Sequence, residues 1–364
     1  MERKIDNWIK GRGAVSNPTS RFESARTVYF DDGWDAPEEF PPPLPTQIHP
    51  EVIRSLISKN QSPDVPFSQS INPYKGCEHG CIYCFARPTH EYLGFSPGLD
   101  FETQIISKPN APEVLRRELG KKSYKPEVLV LGANTDPYQP VEKQLQISRQ
   151  ILEVLSQLNH PVTILTKSSG ILRDLDILTS MAERHLVHVY CSITTLNPRL
   201  AHLMEPRAAS PSKRLQVINQ LSENGISVGT LASPMIPGLN DSELERILDE
   251  SAKHGASCAG YILLRLPHQI KELFRSWLQE HFPDRANHVL NLIRETRSGA
   301  LYQNQFGTRM SGTGHYAQLL KQRFELAMKQ YELHTAPKPL STELFVRSQP
   351  PSAKEKINRQ LKLF

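Results

Sequence analysis

Between residues 66 and 270 the chain alternates two hydrophobic periods. Short apolar runs, of the kind that form buried strands, alternate with stretches where apolar residues recur every three or four positions, as on one face of a helix. The runs predict six strands, at 67–73, 128–131, 162–166, 186–193, 227–232 and 261–266. Helices with recognisable ends lie between them. Asn110 with Pro112 opens one that stops at Gly120, and Leu145, Ile151, Leu152, Leu155 and Leu158 keep helical spacing in the next. Ser210-Pro211 opens a third that ends at Gly225, and Asn240 with Glu243 makes a capping-box start for one that ends at Gly255. Parallel neighbours need a crossover long enough to hold a helix, so this alternation predicts an α/β fold with a parallel sheet. Six units suggest a partial (β/α)6 TIM-like barrel, although a doubly wound sheet has the same one-dimensional pattern.

The flanks read differently. Residues 1–65 form a polar, proline-rich N-terminal extension with Pro41, Pro42, Pro43 and Pro45. Trp34, Phe40, Ile53, Leu56 and Ile57 give it apolar groups to dock with, and 49–58 reads as a short helix. After the barrel core of 66–270, a helical C-terminal region spans 271–335. Its stripes are Leu273, Phe274, Trp277, Leu278 and Phe282, then Val289, Leu290 and Ile293, then 316–333, all typical of core-packing helices. The tail, 336–364, reads as extended or disordered.

Composition adds limits. With 364 residues, 38% hydrophobic and 22% charged, the chain can bury a core, which excludes disorder throughout. Five cysteines are too few for a disulfide scaffold at this length. No apolar run reaches the roughly 18 residues of a membrane span, and the first residues lack the apolar centre of a signal peptide. A soluble protein of a reducing, cytoplasmic compartment is the expectation. The net charge of +5 permits an anionic partner without selecting one.

The chemistry concentrates in 71–85, where Cys77, Cys81 and Cys84 are spaced CxxxCxxC just after the first predicted strand. Gly76 and Gly80 allow the backbone to fold tightly around whatever the thiolates hold. Three soft ligands suit zinc or an iron–sulfur cluster. A structural zinc would need a fourth ligand, which His79 or His90 could supply, and a ferredoxin-type cluster takes four cysteines. With three, one iron of a four-iron cluster keeps an open position for a substrate or cosubstrate.

This motif, with Tyr83 before the last cysteine and in the loop after the first strand of a six-unit β/α chain, resembles the radical S-adenosylmethionine (radical SAM) enzymes. The resemblance implies one 4Fe-4S cluster, reductive cleavage of S-adenosylmethionine to methionine and a 5′-deoxyadenosyl radical, and a flavodoxin or ferredoxin as electron donor. It also implies that Thr135 and Asp136, after the second strand, hold the cosubstrate's ammonium group, although the familiar Gly-Gly-Glu is absent there. Lys167 at the third strand end is a candidate cation for a carboxylate, and Ser192 on the fourth strand for a ribose. Glu205 and Arg207 are candidates for the ribose and carboxylate, with a surface ion pair as the plain alternative. Arg265, charged amid Leu263, Leu264 and Leu266, needs a partner if buried.

Tyr74-Lys75-Gly76-Cys77, Thr135-Asp136-Pro137 and Thr166-Lys167-Ser168 are similar to the branch that contains spore photoproduct lyase and many uncharacterised relatives. That lyase carries a hydrogen-donating cysteine in the second-strand segment, where this chain has Ala133, Asn134 and Thr135. Uncharacterised relatives share the early Gly-Arg-Gly and the late Arg-Met-x-Gly seen here at 11–13 and 309–312. The glycines of 306–316 resemble a phosphate-binding turn before a helix, which would make Arg309 a substrate-binding candidate. A nucleic-acid repair lyase and a zinc-binding interaction module are the competing readings. The substrate stays unknown at this level.

Overall fold

All six apolar runs enter one sheet. The structure, a computed structural model, describes residues 11–14, 16–18, 20–22 and 44–347, so Trp34, Phe40 and the tail beyond 347 lie outside it. Its strands are β1 (Gln47–Pro50), β2 (Ser58–Lys59), β3 (Gln69–Ile71), β4 (Tyr74–Lys75), β5 (Gln104–Ser107), β6 (Leu129–Leu131), β7 (Val162–Thr166), β8 (Val187–Ser192), β9 (Ser227–Met235) and β10 (Cys258–Leu263). The main sheet runs β10-β9-β8-β7-β6-β3-β2, parallel throughout except for β2, which is antiparallel to β3. Six parallel strands with crossover helices make this the partial (β/α)6 barrel, and both edges of the sheet stay unjoined to each other.

Helices Ala111–Leu119, Ile147–Gln157, Pro211–Glu223 and Leu244–Lys253 cover the sheet and bury Leu115, Ile151, Leu155, Val217, Leu221 and Ile247 against Leu129, Ile164 and Val189. A second apolar cluster, with Leu273, Phe274, Trp277 and Val289 from helices Ile270–His281 and Pro283–Glu295, backs onto Ile82 and Met204. The helical C-terminal region thus buttresses the cysteine loop.

Several local expectations change. Residues 49–58 are no helix. β1 pairs in parallel with β5 through Pro50, and the amides of Leu56 and Ile57 donate to the Glu118 carboxylate, so tertiary partners hold this segment extended. Asn110 caps nothing and instead exchanges hydrogen bonds with the Ile53 backbone. The helix expected through 145–158 breaks at Gln146, whose φ is 51°. The capping box at 240–243 is absent: the Asn240 side chain binds Ile236 N and the carbonyls of Thr194 and Pro234, and the helix starts at Leu244. The start of the tail is extended yet docked, with Val346 N donating to Leu158 O at 2.8 Å and Phe345 edge-on to His160.

The last strand begins three residues earlier than expected because its first half is small. Gly260 and Gly229 let neighbouring strands approach closely, and a Cβ at Gly229 would lie 2.5 Å from Cys258 Sγ and 3.0 Å from Cys258 O. Gly229→Ala is therefore expected to destabilise the protein by about 1–3 kcal/mol, the usual cost of overpacking. Denaturant melts would check this, and an unchanged midpoint would show that the β9–β10 seam relaxes freely.

The open side is bridged by loops. Gly307 N donates to Asp64 Oδ1 at 2.6 Å, and Arg309 ion-pairs with Asp64 and donates to Ser62, joining the loop before β3 to the loop beyond β10. Buried Arg297 holds the latter by donating to the carbonyls of Leu263, Leu264, Thr308 and Arg309. The amides of Gly307, Gly312 and Thr313 all have acceptors within the protein, so within 306–313 these three are not open to an anion. Among the described residues no helix is long and apolar enough to cross a membrane.

Candidate active site at the cysteine loop

The cysteine loop leaves the carboxyl end of β3, the end of a barrel where function collects. Cys77 and Cys81 are buried and Cys84 is half-buried, all as free thiols. Gly76 and Gly80 have φ of +80° and +68°, in the left-handed region that side chains avoid. A Cβ at Gly80 would also lie 2.6 Å from the Glu102 carboxylate. Two tight turns, Gly80 N to Cys77 O and Cys84 N to Cys81 O, fold the loop, and Cys81 and Cys84 are close enough for their charges to act on Cys77. Burial, then the Glu205 charge, pushes the Cys81 thiol up to about 12, and burial raises Cys77 and Cys84 as well. Bare, these groups stay protonated at neutral pH, and a metal is what would draw off their protons.

The scaffold under the loop is one that sequence reasoning missed. Arg87 is fully buried and uses all its donors: on Cys81 O (2.9 Å), Pro97 O (3.1 Å), Gly98 O (2.8 Å), Gly80 O (3.1 Å) and Glu102 Oε1 (2.6 Å). Glu102 in turn accepts from Gly13 N at 2.9 Å and Ala14 N at 2.8 Å, and Arg12 donates to Glu102 O. Gly13 sits so close to the loop that a Cβ there would lie 1.8 Å from Gly80 O. The Gly-Arg-Gly segment was the available signal, and its contact with the cysteine loop explains its composition. On the other flank Glu78 accepts from Val141 N and Thr46 and pairs with Arg207 at 3.3 Å, so Arg207 braces the loop.

The remaining candidates do gather at this mouth, in altered roles. Thr135 Oγ1 donates to Tyr74 O. Asp136 accepts from Tyr138 N, Thr166 Oγ1 and Lys167 N, which ties the ends of β6 and β7 together. Buried Glu205 accepts from Tyr83, Thr194 Oγ1 (2.5 Å) and Arg214, while Arg214 also donates to Ser192 O at 3.0 Å. Lys167 Nζ lies 5.9 Å from the Tyr83 ring centroid and has no ion-pair partner among the described residues. His90 Nε2 contacts Gln104 O at 2.8 Å, and burial drops its pKa to about 4.

Burial pushes the Glu205 carboxyl up, but Arg214 and Lys167 outweigh it and hold the group at about 2 against an ordinary 4.5. A depressed folded-state pKa stabilises fully above about pH 4.5 and loses its effect as pH falls toward 2. The melting-temperature gap between wild type and Glu205→Gln should accordingly be widest near neutrality and narrow below pH 4.5. A gap that stays constant down to pH 3 would assign it to another cause.

The Radical SAM superfamily sequence profile matches residues 71–250, from the end of β3 into the helix after β9. An uncharacterised protein of Mycobacterium tuberculosis is 35% identical over 249 residues, covering 68% of this chain and 73% of the relative. The chain belongs to the radical SAM superfamily. A radical SAM Nα-GlyT isomerase of Pseudomonas phage M6 is 25% identical, with coverage of 64% of this chain and 48% of that protein. Spore photoproduct lyase complexed with dinucleoside spore photoproduct is similar in fold, with a TM-score of 0.56 at 16% identity over 78% of this chain and 79% of the lyase.

Radical SAM proteins use a 4Fe-4S cluster and S-adenosylmethionine, and the residues present fit both. The donor set is three free thiols on one glycine-turned loop. Among the described residues no three His, Cys, Asp or Glu side chains meet at one point as a single zinc ion requires, whereas a cluster takes each thiolate on a different iron. Lys167, which makes no ion pair among the described residues, lies over the ring of Tyr83, the residue before Cys84.

Proposed function

We propose that this radical SAM enzyme cleaves S-adenosylmethionine reductively at a cluster held by Cys77, Cys81 and Cys84, and that the resulting radical takes a hydrogen atom from an organic substrate. The observation that carries the reading is the three-thiol loop with an unpaired lysine beside it. Cys77, Cys81 and Cys84 would hold the cluster, whose chemistry when bound would be one-electron reduction of S-adenosylmethionine to methionine and the 5′-deoxyadenosyl radical. Lys167 would bind the cosubstrate's carboxylate, because its ammonium makes no ion pair among the described residues and lies over Tyr83. Thr135 and Asp136 shape the floor on which the ammonium group would rest, and Ser192 borders the ribose side. Glu205 acts through Tyr83, fixing its ring by the phenol hydrogen bond. Arg207 acts through Glu78 on the loop.

Five free thiols suit a cytoplasmic setting, where a flavodoxin or ferredoxin would deliver the electron. In this reading 66–270 is the catalytic core, with 1–65 and 271–335 as its braces and 336–364 as a tail. A photoproduct-type repair lyase is the second reading, favoured by the fold likeness and opposed by the absence of a thiol from 132–139. Anaerobic loading with iron and sulfide, then dithionite and S-adenosylmethionine, should yield about four irons per chain and 5′-deoxyadenosine. Zinc in place of iron, or iron without cleavage, would overturn the proposal.

A further inference from the structure

Tyr83 and Phe85 flank Cys84, and each carries a cation over its ring. Lys167 stands over Tyr83 at 5.9 Å, and Arg265 stands over Phe85 at 5.4 Å. The two stations follow different strands, Lys167 at the end of β7 and Arg265 two residues past the end of β10. Lys167 serves the cosubstrate in the function proposed above. Arg265 has no such role there.

Arg265 is a half-buried cation without an acid. It makes no ion pair among the described residues, its Nε donates to nothing, and its one polar contact is Nη1 to Met310 Sδ at 3.5 Å. The neighbouring arginines are placed differently. Arg309 is neutralised by Asp64, which leaves it a weaker candidate for the substrate. Arg297, close enough to feel the charge of Arg265, is capped by four neutral carbonyls and brings no negative charge. Burial, then the charge of Arg265, lowers the Arg297 pKa to about 10. Two guanidiniums therefore share this edge of the mouth with no carboxylate between them. A guanidinium offers a planar fork that matches an oxyanion with two parallel hydrogen bonds, and half-burial strengthens such a pair. Phe85, 44% exposed beneath it, offers an apolar face to whatever carries the anion.

We propose that Arg265 binds an anionic group of the substrate, phosphate or carboxylate, beside Phe85, so that the reaction's substrate is an oxyanion-bearing molecule. This rests on the radical SAM reading for the identity of the mouth, but its test does not depend on turnover. The cluster-loaded protein would be titrated anaerobically with three probes: inorganic phosphate, acetate, and a fluorescein-labelled single-stranded oligothymidylate. The first two separate phosphate from carboxylate chemistry, and the third separates a polynucleotide from a small anion. At least one probe should bind, and Arg265→Gln should weaken it about ten- to a hundredfold, the weight of a charge-assisted pair. Arg265→Met keeps the aliphatic packing on Phe85 and Met310 and should show the same loss, which guards against a folding defect in the first variant. Binding of no probe, or equal binding by wild type and both variants, would overturn the assignment. The same preparations report 5′-deoxyadenosine separately, so a chain that binds a probe yet forms none sinks the cleavage reading and leaves the anion site standing.

Discussion

Cys81→Ala should lose essentially all 5′-deoxyadenosine formation and most of its iron, while keeping the wild-type fold. The thiol is buried among groups that favour its protonated form, so the apo protein barely registers its removal. The loaded protein depends on it, because two remaining thiolates cannot satisfy three irons. Iron content by colorimetry, cleavage by chromatography and far-ultraviolet circular dichroism separate the two effects. A variant that keeps half or more of the wild-type cleavage would show that the cysteine loop is not where the chemistry occurs.

The second large effect is expected from Glu102→Gln, at a residue that touches no substrate. Glu102 and Arg87 are both completely buried, and the carboxylate also holds the amides of Gly13 and Ala14. Removing one partner of a buried pair leaves an uncompensated charge and costs about 3–5 kcal/mol. The loss falls on the cysteine loop, because Arg87 also carries the carbonyls of Gly80 and Cys81. Denaturant melts should show the drop in stability, and iron retention after gel filtration should fall with it. Gly13→Ala should act in the same direction, since its Cβ would displace the Gly80 carbonyl. Unchanged melts in both variants would mean that the early glycine segment is ornamental to the loop.

The barrel was legible in the sequence because its strands are continuous apolar runs and its helices carry Gly and Pro punctuation. The strand ends were less so. Ala259 and Gly260 lie ahead of the apolar run, and only their pairing with Thr230 and Leu231 carries them into the last strand. The cysteines announced themselves through spacing, and Lys167 and Asp136 through their place at strand ends. What Asp136 does was not readable, because an acid before proline looks the same whether it awaits a ligand or accepts three hydrogen bonds from its own neighbours. Arg87, Glu102 and Arg214 were invisible for a related reason. A lone charged residue usually sits in water, and only tertiary closure brings Glu102 to Gly13 across 89 positions.

The bridge between residues 62–64 and 307–309 also bears on how the protein assembles and breathes. Its contacts join positions 243 to 247 apart, and closing a chain loop of that length costs about 5 kcal/mol of entropy by the logarithmic law. Contacts so distant form only after nearer ones have shortened the path, which makes this seam a late event in folding. Being carried by exposed loops rather than a strand ladder, it is also the cheapest part of the barrel to reopen. Amide exchange should then be fast at Gly307 and slow along β7 and β8, and the interior would be reached by parting two loops while the six strands stay paired.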